Sequence, residues 1–187
     1  MKIFSKYDLP KLLLEHDVKC GIELGVATGR HSYYLLTNYN FKKFYGVDSY
    51  VDEGWNVEVY KKWLKKSQEF KNYTLLRTTF DEALDFFEDD FLDFIYYDGY
   101  DYNFNTLNSW FLKLKQNGIL CGQGFGCHRT VDKILVRGRW IYQYSKEAID
   151  AFIKHNDLQM NMMLDTRTEK EKAIGSFANK SWYVIKR

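Results

Sequence analysis

One stretch of this chain constrains its fold more than any other: a hydrophobic run that ends in a glycine turn, GIELGVATGRHS. Residues 18–24 have the length and composition of a buried strand, and Gly25 and Gly29 follow before a helical pattern begins. A second hydrophobic run closes at Asp48, 25 residues after Glu23. The sequence therefore predicts a strand, a glycine turn, a helix and a second strand tipped by an acid. That geometry suits a ligand carrying an adenosine.

The spacing of the glycines discriminates between adenosine ligands. Dinucleotide sites use G-x-G-x-x-G and hold a pyrophosphate on a bare helix N-terminus. Here the order is Glu23, one residue, Gly25, three residues and Gly29. The carboxylate would repel a pyrophosphate and attract an ammonium, and S-adenosylmethionine has an amino-acid end and no phosphate. The pattern favours S-adenosylmethionine, and a flavodoxin-like turn with an incidental glutamate is the alternative.

Strand and helix patterns alternate along the rest of the chain, after a helical segment at residues 1–17. They predict an α/β fold of the Rossmann-like type, with a mostly parallel sheet, helices on both faces and an antiparallel C-terminal strand. Within it we expect a helix over residues 104–115, a turn at Asn117-Gly118 and an irregular segment over residues 123–143. Three acids fall at predicted strand ends, where ligands bind in such sheets: Glu23, Asp48 and Asp98.

From about residue 18 to residue 186 the chain resembles the class I S-adenosylmethionine-dependent methyltransferases, whose first motif is E/D-x-G-x-x-x-G. Its IYYDGYDY is similar to the D-G-x-H-x-Y segment of a small-molecule O-methyltransferase branch, and LKLKQNGILCG to that branch's L-x-P-G-G segment. The resemblance implies that Ser32 binds the cofactor carboxylate, that Asp48 holds the ribose, and that Thr79 and Phe80 flank the adenine. The cofactor-binding residues it implies are Glu23, Gly25, Val26, Ala27, Gly29, Ser32, Asp48, Ser49, Thr79, Phe80 and Asp98.

The chain departs from that family at the positions of the metal ligands and of a family histidine. In metal-dependent relatives an aspartate after the fourth strand joins an Asp-Asn pair after the fifth to hold a divalent cation. Asp98 matches the first position, but Gln123-Gly124 stands at the second, and a hard cation prefers charged oxygen ligands. The sequence therefore predicts no divalent metal. The family histidine is also missing, which leaves Asp98, Asp101 and His128 as candidate catalytic bases.

Length and composition predict one domain over residues 1–187, with residues 123–143 as an insertion on the substrate side. No apolar run approaches the ~20 residues that span a bilayer, and the N-terminus lacks the features of a signal peptide. Three cysteines do not suggest a disulfide framework. We therefore expect a cytoplasmic protein without a membrane partner. No nucleic-acid motif accompanies the net charge of +2, so no nucleic-acid partner is expected.

The sequence thus predicts a methyltransferase that acts on an oxygen of a small molecule, either a sugar or an anionic metabolite. Arg129, Arg137 and Arg139 are candidate clamps for an anion because guanidinium is a planar fork of donors. Aromatic side chains near the predicted site could stack on a sugar or on an aromatic acceptor, and the sequence does not choose between these two. The sequence is compatible with a homo-oligomer and does not specify the oligomeric state. The alternatives are a non-catalytic adenosine-ligand binding module of the same fold and an NAD-dependent oxidoreductase, which the missing third glycine disfavours.

Overall fold

Strands and helices alternate along the chain from its first α-helix to its fifth strand. A computed structural model covers residues 6–51, 54, 56–99, 102–125, 133–136, 139–142, 145–163 and 180–187. The strands are β1 (Cys20–Leu24), β2 (Lys43–Val47), β3 (Tyr73–Leu76), β4 (Leu92–Tyr97), β5 (Leu114–Phe125), β6 (Lys133–Val136), β7 (Arg139–Tyr142), β8 (Asn161–Met162) and β9 (Lys180–Ile185). The helices are α1 (Leu9–Glu15), α2 (Arg30–Asn38), α3 (Val57–Ser67), α4 (Phe80–Ala83), α5 (Phe104–Leu112) and α6 (Ser145–His155), with 3-10 turns at Lys6–Asp8 and Leu84–Phe86. None of these helices, within the residues described, has both the length and the apolar run that a bilayer crossing requires.

Seven of the strands form one sheet in the order β3-β2-β1-β4-β5-β9-β8. The first five are parallel to one another, whereas β9 pairs antiparallel with both β5 and β8. The strand order reverses at β1, which has β2 on one side and β4 on the other. In sheets of this kind a ligand crevice lies at that point, beyond the carboxyl ends of the strands. The predicted Rossmann-like fold is confirmed, including its antiparallel C-terminal strand.

Helices cover both faces of the sheet, and each face has its own apolar core. One core joins α5 and α6 to the sheet, and the other joins α1 and α2 to it. Side chains of β4 alternate between the two, as a strand requires: Ile95 and Tyr97 lie in the first core, Phe94 and Tyr96 in the second. All four are fully buried. Because each such side chain contributes roughly 1.5–3 kcal/mol on burial, the two cores fix the strand order and the crevice with it.

The boundary between α5 and β5 differs from the prediction. The helix expected over residues 104–115 ends at Leu112, and β5 begins at Leu114, which is fully buried. Burial in the sheet outweighs one further helical turn at this point. A shift in the pairing of β4 with β5 leaves extra residues in β5, and Asn117 there has a φ of +65°. Asn117-Gly118, predicted as a turn before the strand, therefore lies inside β5, at this irregularity in its pairing with β4.

Regular structure also occurs within residues 123–143, for which the sequence predicts an irregular segment. β5 continues to Phe125, and β6 and β7 pair antiparallel as a separate two-stranded sheet. The sequence does not predict this pair of strands, because each segment has only four residues, KILV and RWIY. Two-residue periodicity needs a longer run to be recognised.

Candidate active site

The glycine turn after β1 packs directly against the end of β4. Gly25 has a φ of +94°, and a Cβ built on it would lie 2.4 Å from the carbonyl oxygen of Asp98. Two backbone hydrogen bonds hold this contact: Gly25 N donates to Val47 O at 2.9 Å, and Asp98 N donates to Leu24 O at 2.8 Å. Only glycine fits such a position without strain. The carboxyl ends of β1, β2 and β4 are thereby brought to one place.

Gly29 completes the turn and sets the start of α2. It has a φ of +74°, and a Cβ here would lie 2.1 Å from the indole ring of Trp63. Its amide donates to Val26 O at 2.8 Å, which closes the turn around Ala27 at a φ of +49°. Because glycine has no side chain to cap the helix that begins at Arg30, the first amides of α2 stay available to a ligand or to water.

The carboxylate of Asp48 lies at the end of β2, beside the turn. Its Oδ2 accepts from Ala27 N at 2.8 Å and its Oδ1 from Tyr50 N at 2.9 Å. Burial raises the pKa of Asp48 above its ordinary value, and the amide of Ala27 opposes that rise. A carboxylate has about four acceptor positions, so each oxygen keeps capacity for a ligand hydroxyl. Ser49, the next residue, is partly buried at the same edge.

Glu23, at the end of β1, is buried and bound by two side chains from the first turn of α2. Nδ1 of His31 lies 3.0 Å from Oε1, and the Ser32 hydroxyl donates to Oε2. Nε2 of His31 is buried without a partner among the described residues. In this structure Ser32 is fully buried against Glu23, so binding a cofactor carboxylate would require its hydroxyl to turn away. That role of Ser32 stays a prediction.

Asp98 directly follows β4, at the same end of the sheet as Glu23 and Asp48. Among the described residues no donor contacts its carboxylate, although its backbone amide is bonded to β1. Burial raises the pKa of Asp98 to about 6; the charge of Lys6 opposes the rise, Glu23 adds to it and His31 opposes it. A carboxylate with unoccupied oxygens and a pKa near neutrality is suited to accept a proton.

Two side chains beside Asp98, Lys6 and Tyr96, carry no sequence signal. Lys6, in the turn before α1, donates from Nζ to Oε1 of Gln123 at 2.9 Å, and the Tyr96 hydroxyl approaches the same oxygen at 3.2 Å. Tyr97 of β4 pairs with Gly122 of β5. Asp98 and Gln123 are the residues that directly follow this pair, so they lie at the same end of the sheet. No motif marks Lys6; only its place in the predicted N-terminal helical segment could have drawn attention to it.

Thr79 and Phe80 lie after β3, where the resemblance places the adenine. The Thr79 side chain and Glu82 cap α4 reciprocally, with Glu82 N donating to Thr79 Oγ1 at 3.2 Å. The ring of Phe80 lies 5.5 Å from that of Tyr97, and a Cβ on Gly99 would be 2.5 Å from it. Phe80 therefore borders the end of β4, and its contact with a ligand stays a prediction.

Several predicted site residues lie outside the described part of the chain. These include the candidate bases Asp101 and His128, and the arginines Arg129 and Arg137; of Arg139 only the backbone is described. Within the described residues there is no group of three or more His, Cys, Asp or Glu side chains that could hold a metal ion.

Known proteins resemble this chain in structure rather than in sequence. No protein-family model matches it, and a search of curated proteins finds no match. A Staphylococcus aureus protein provisionally assigned as a caffeoyl-CoA O-methyltransferase superposes with a TM-score of 0.70 at 16% identity, over 97% of this chain and 82% of that one. An O-methyltransferase from Bacillus cereus, in complex with SAH, gives 0.65 at 13% identity, over 97% and 80% of the two chains.

An rRNA methylase from Streptococcus thermophilus superposes as well, with a TM-score of 0.60 at 11% identity over 94% of this chain and 95% of the other. At such identities the likeness establishes the fold: this chain has the Rossmann-like architecture of S-adenosylmethionine-dependent methyltransferases. The names of these proteins differ in acceptor, so the architecture does not choose one.

Proposed function

We propose that this protein is an S-adenosylmethionine-dependent methyltransferase that acts on an oxygen of a small molecule. The observation that carries the proposal is the carboxylate of Asp48. It stands at the end of β2, and both its oxygens are fixed by backbone amides, one from Ala27 in the glycine turn and one from Tyr50. A carboxylate fixed in this place can accept hydrogen bonds from both hydroxyls of a ribose, since the acid at the corresponding place in other sheets of this topology binds a ribose.

Glu23 favours S-adenosylmethionine over a dinucleotide. Its carboxylate lies near the end of β1, two residues before Gly25, where a pyrophosphate would have to approach in a dinucleotide site. A buried carboxylate there disfavours a second anion because little solvent screens the repulsion. An ammonium is favoured for the same reason.

The residues of the crevice can carry out what methyl transfer requires. When bound, S-adenosylmethionine supplies a methyl group on a positively charged sulfur. The acceptor O–H bond breaks as its proton passes to the carboxylate of Asp98. The oxygen forms a bond to the methyl carbon, and the electron pair of the broken S–C bond stays on sulfur. Alignment of the oxygen with the methyl group supplies most of the acceleration, and proton removal contributes about 10²–10⁴-fold.

Calorimetric titration with S-adenosylmethionine, S-adenosylhomocysteine and NAD tests the proposal. We expect micromolar binding of the two sulfur compounds and none of NAD. Asp48→Ala should abolish binding, whereas Asp85→Asn, at an exposed acid after α4, should bind as wild type does. Circular dichroism would verify that both variants fold. Wild-type protein that is folded but binds neither sulfur compound would refute the proposal, and binding without methyl transfer to any acceptor would indicate the non-catalytic module instead.

A further inference from the structure

A lysine lies where the strands β4 and β5 end. Lys6 is partly buried, and its Nζ is 2.9 Å from Oε1 of Gln123. The Tyr96 hydroxyl, 3.2 Å away, takes a second acceptor position on that oxygen. Asp98 directly follows the neighbouring strand β4, and it is close enough to Lys6 for the ammonium to lower the pKa of its carboxyl. An ammonium, an amide oxygen and a carboxylate therefore converge at one edge of the crevice.

This arrangement does not fit a divalent cation. A magnesium or calcium site needs several oxygen ligands, with carboxylates among them. Here the oxygen that Gln123 offers accepts from Lys6 and lies within hydrogen-bond distance of Tyr96. A cation bound to Asp98 and Gln123 would also have to displace the ammonium or endure its repulsion, which partial burial makes stronger.

We propose that the ammonium of Lys6, held at the ends of β4 and β5 by Gln123, binds the acceptor oxygen where metal-dependent enzymes of this fold use a divalent cation. The inference rests on the methyl transfer proposed above. The acceptor group is then a neutral hydroxyl, because the Lys6 and Asp98 charges cancel and leave none for an anion. A sugar or other alcohol fits this site better than a carboxylate.

Asp98 and Lys6 have complementary roles in the reaction. As the O–H proton moves to Asp98, negative charge develops on the acceptor oxygen, and a positioned ammonium stabilises it. The oxygen then bonds to the methyl carbon, and the S–C bond gives its electron pair to sulfur. The contribution of Lys6 is electrostatic. Removing one such donor from an active site typically lowers the rate about 10²–10³-fold.

The first test compares label transfer from S-adenosylmethionine, radioactive in its methyl group, to neutral sugars and alcohols and to carboxylates of a cell extract. Lys6→Met removes the charge at similar length, Lys6→Arg keeps it, and Lys11→Met is the control on the exposed face of α1. We expect wild type and Lys11→Met to label the neutral fraction equally, with or without EDTA. Lys6→Met should bind S-adenosylhomocysteine as wild type does and transfer label about 10²-fold more slowly, and Lys6→Arg should recover part of the loss.

The second test needs no acceptor. The side-chain amide resonances of Gln123 are followed by NMR while MnCl₂ is added to the complex of wild-type protein with S-adenosylhomocysteine. We expect no selective paramagnetic broadening at Gln123; such broadening, or loss of activity in EDTA that Mg²⁺ restores, would overturn the inference.

The two proposals fail in different ways. Absence of S-adenosylhomocysteine binding by wild type would refute the proposed function, and this inference with it. Normal binding together with undiminished transfer by Lys6→Met would refute this inference alone.

Discussion

Replacing Asp98 by asparagine is expected to make the folded protein more stable at neutral pH. The carboxylate has no hydrogen-bond donor among the described residues, and burial raises its pKa from an ordinary 3.8 to about 6. The ionised form is thus held at a cost in the native state. Asparagine has nearly the same shape and no charge, so the substitution removes the cost and leaves no cavity.

The size of the effect and its pH dependence follow from the two pKa values. Between pH 3.8 and about 6 the folded protein binds a proton that the unfolded chain has released, so the free energy of unfolding falls as pH rises through this window. Above it both states are ionised and the full cost remains. At about 1.4 kcal/mol per pKa unit, and allowing for the partial exposure of Asp98, we expect Asp98→Asn to gain about 1–3 kcal/mol.

Urea unfolding of wild type and Asp98→Asn would measure this difference. The gain should be present above pH ~7 and should disappear as the pH approaches about 4. The control Asp85→Asn, at an exposed position, should change stability by less than about 0.5 kcal/mol at either pH. If Asp98→Asn were less stable than wild type at neutral pH, or if its gain did not change with pH, the carboxylate would have stabilising partners in the folded protein, and the reasoning from its burial would be refuted.

Two further substitutions test the packing of the turn and of Glu23. Gly25→Ala should lower the free energy of unfolding by at least about 1–3 kcal/mol, because its Cβ would lie 2.4 Å from the carbonyl oxygen after β4, whereas Gly54→Ala meets nothing within 4 Å; equal urea midpoints for the two variants would contradict the geometry. Ser32→Ala should cost about 1–3 kcal/mol by removing a donor from the buried carboxylate of Glu23. Thr37→Ala removes an exposed hydroxyl from the same helix and is its control, so a smaller loss for Ser32→Ala in urea unfolding would refute this account.

The three acids at strand ends were predictable because the information is local. Hydrophobic runs give the strands, and parallel strands place their carboxyl ends on one edge. Glu23, Asp48 and Asp98 therefore meet there in any sheet of this order. Even the contact of His31 with Glu23 has a local origin, since the glycine turn brings the first turn of α2 back over the end of β1.

The opposite side of the crevice could not be predicted in this way. Lys6 and Gln123 are 117 residues apart, and their contact depends on how α1 packs against the sheet. No periodicity or motif encodes that distance. The predicted end of α5 is wrong for a related reason. The helical pattern continues through Leu114, but that residue is buried in the sheet as the first residue of β5. In both cases tertiary burial decides what local sequence leaves undetermined.

The backbone of Asp98 stabilises the fold, whereas its carboxylate does not. Its backbone is structural: its amide donates to β1, and its carbonyl oxygen lies against Gly25. Any residue able to adopt this conformation could supply those contacts. The carboxylate, by contrast, makes no hydrogen bond among the described residues and lowers stability when ionised. Under the proposed function, this cost in stability is retained because the carboxylate takes part in the reaction. Asp98→Asn should therefore gain stability and lose methyl transfer together, and a variant that gained stability without losing activity would remove Asp98 from the mechanism.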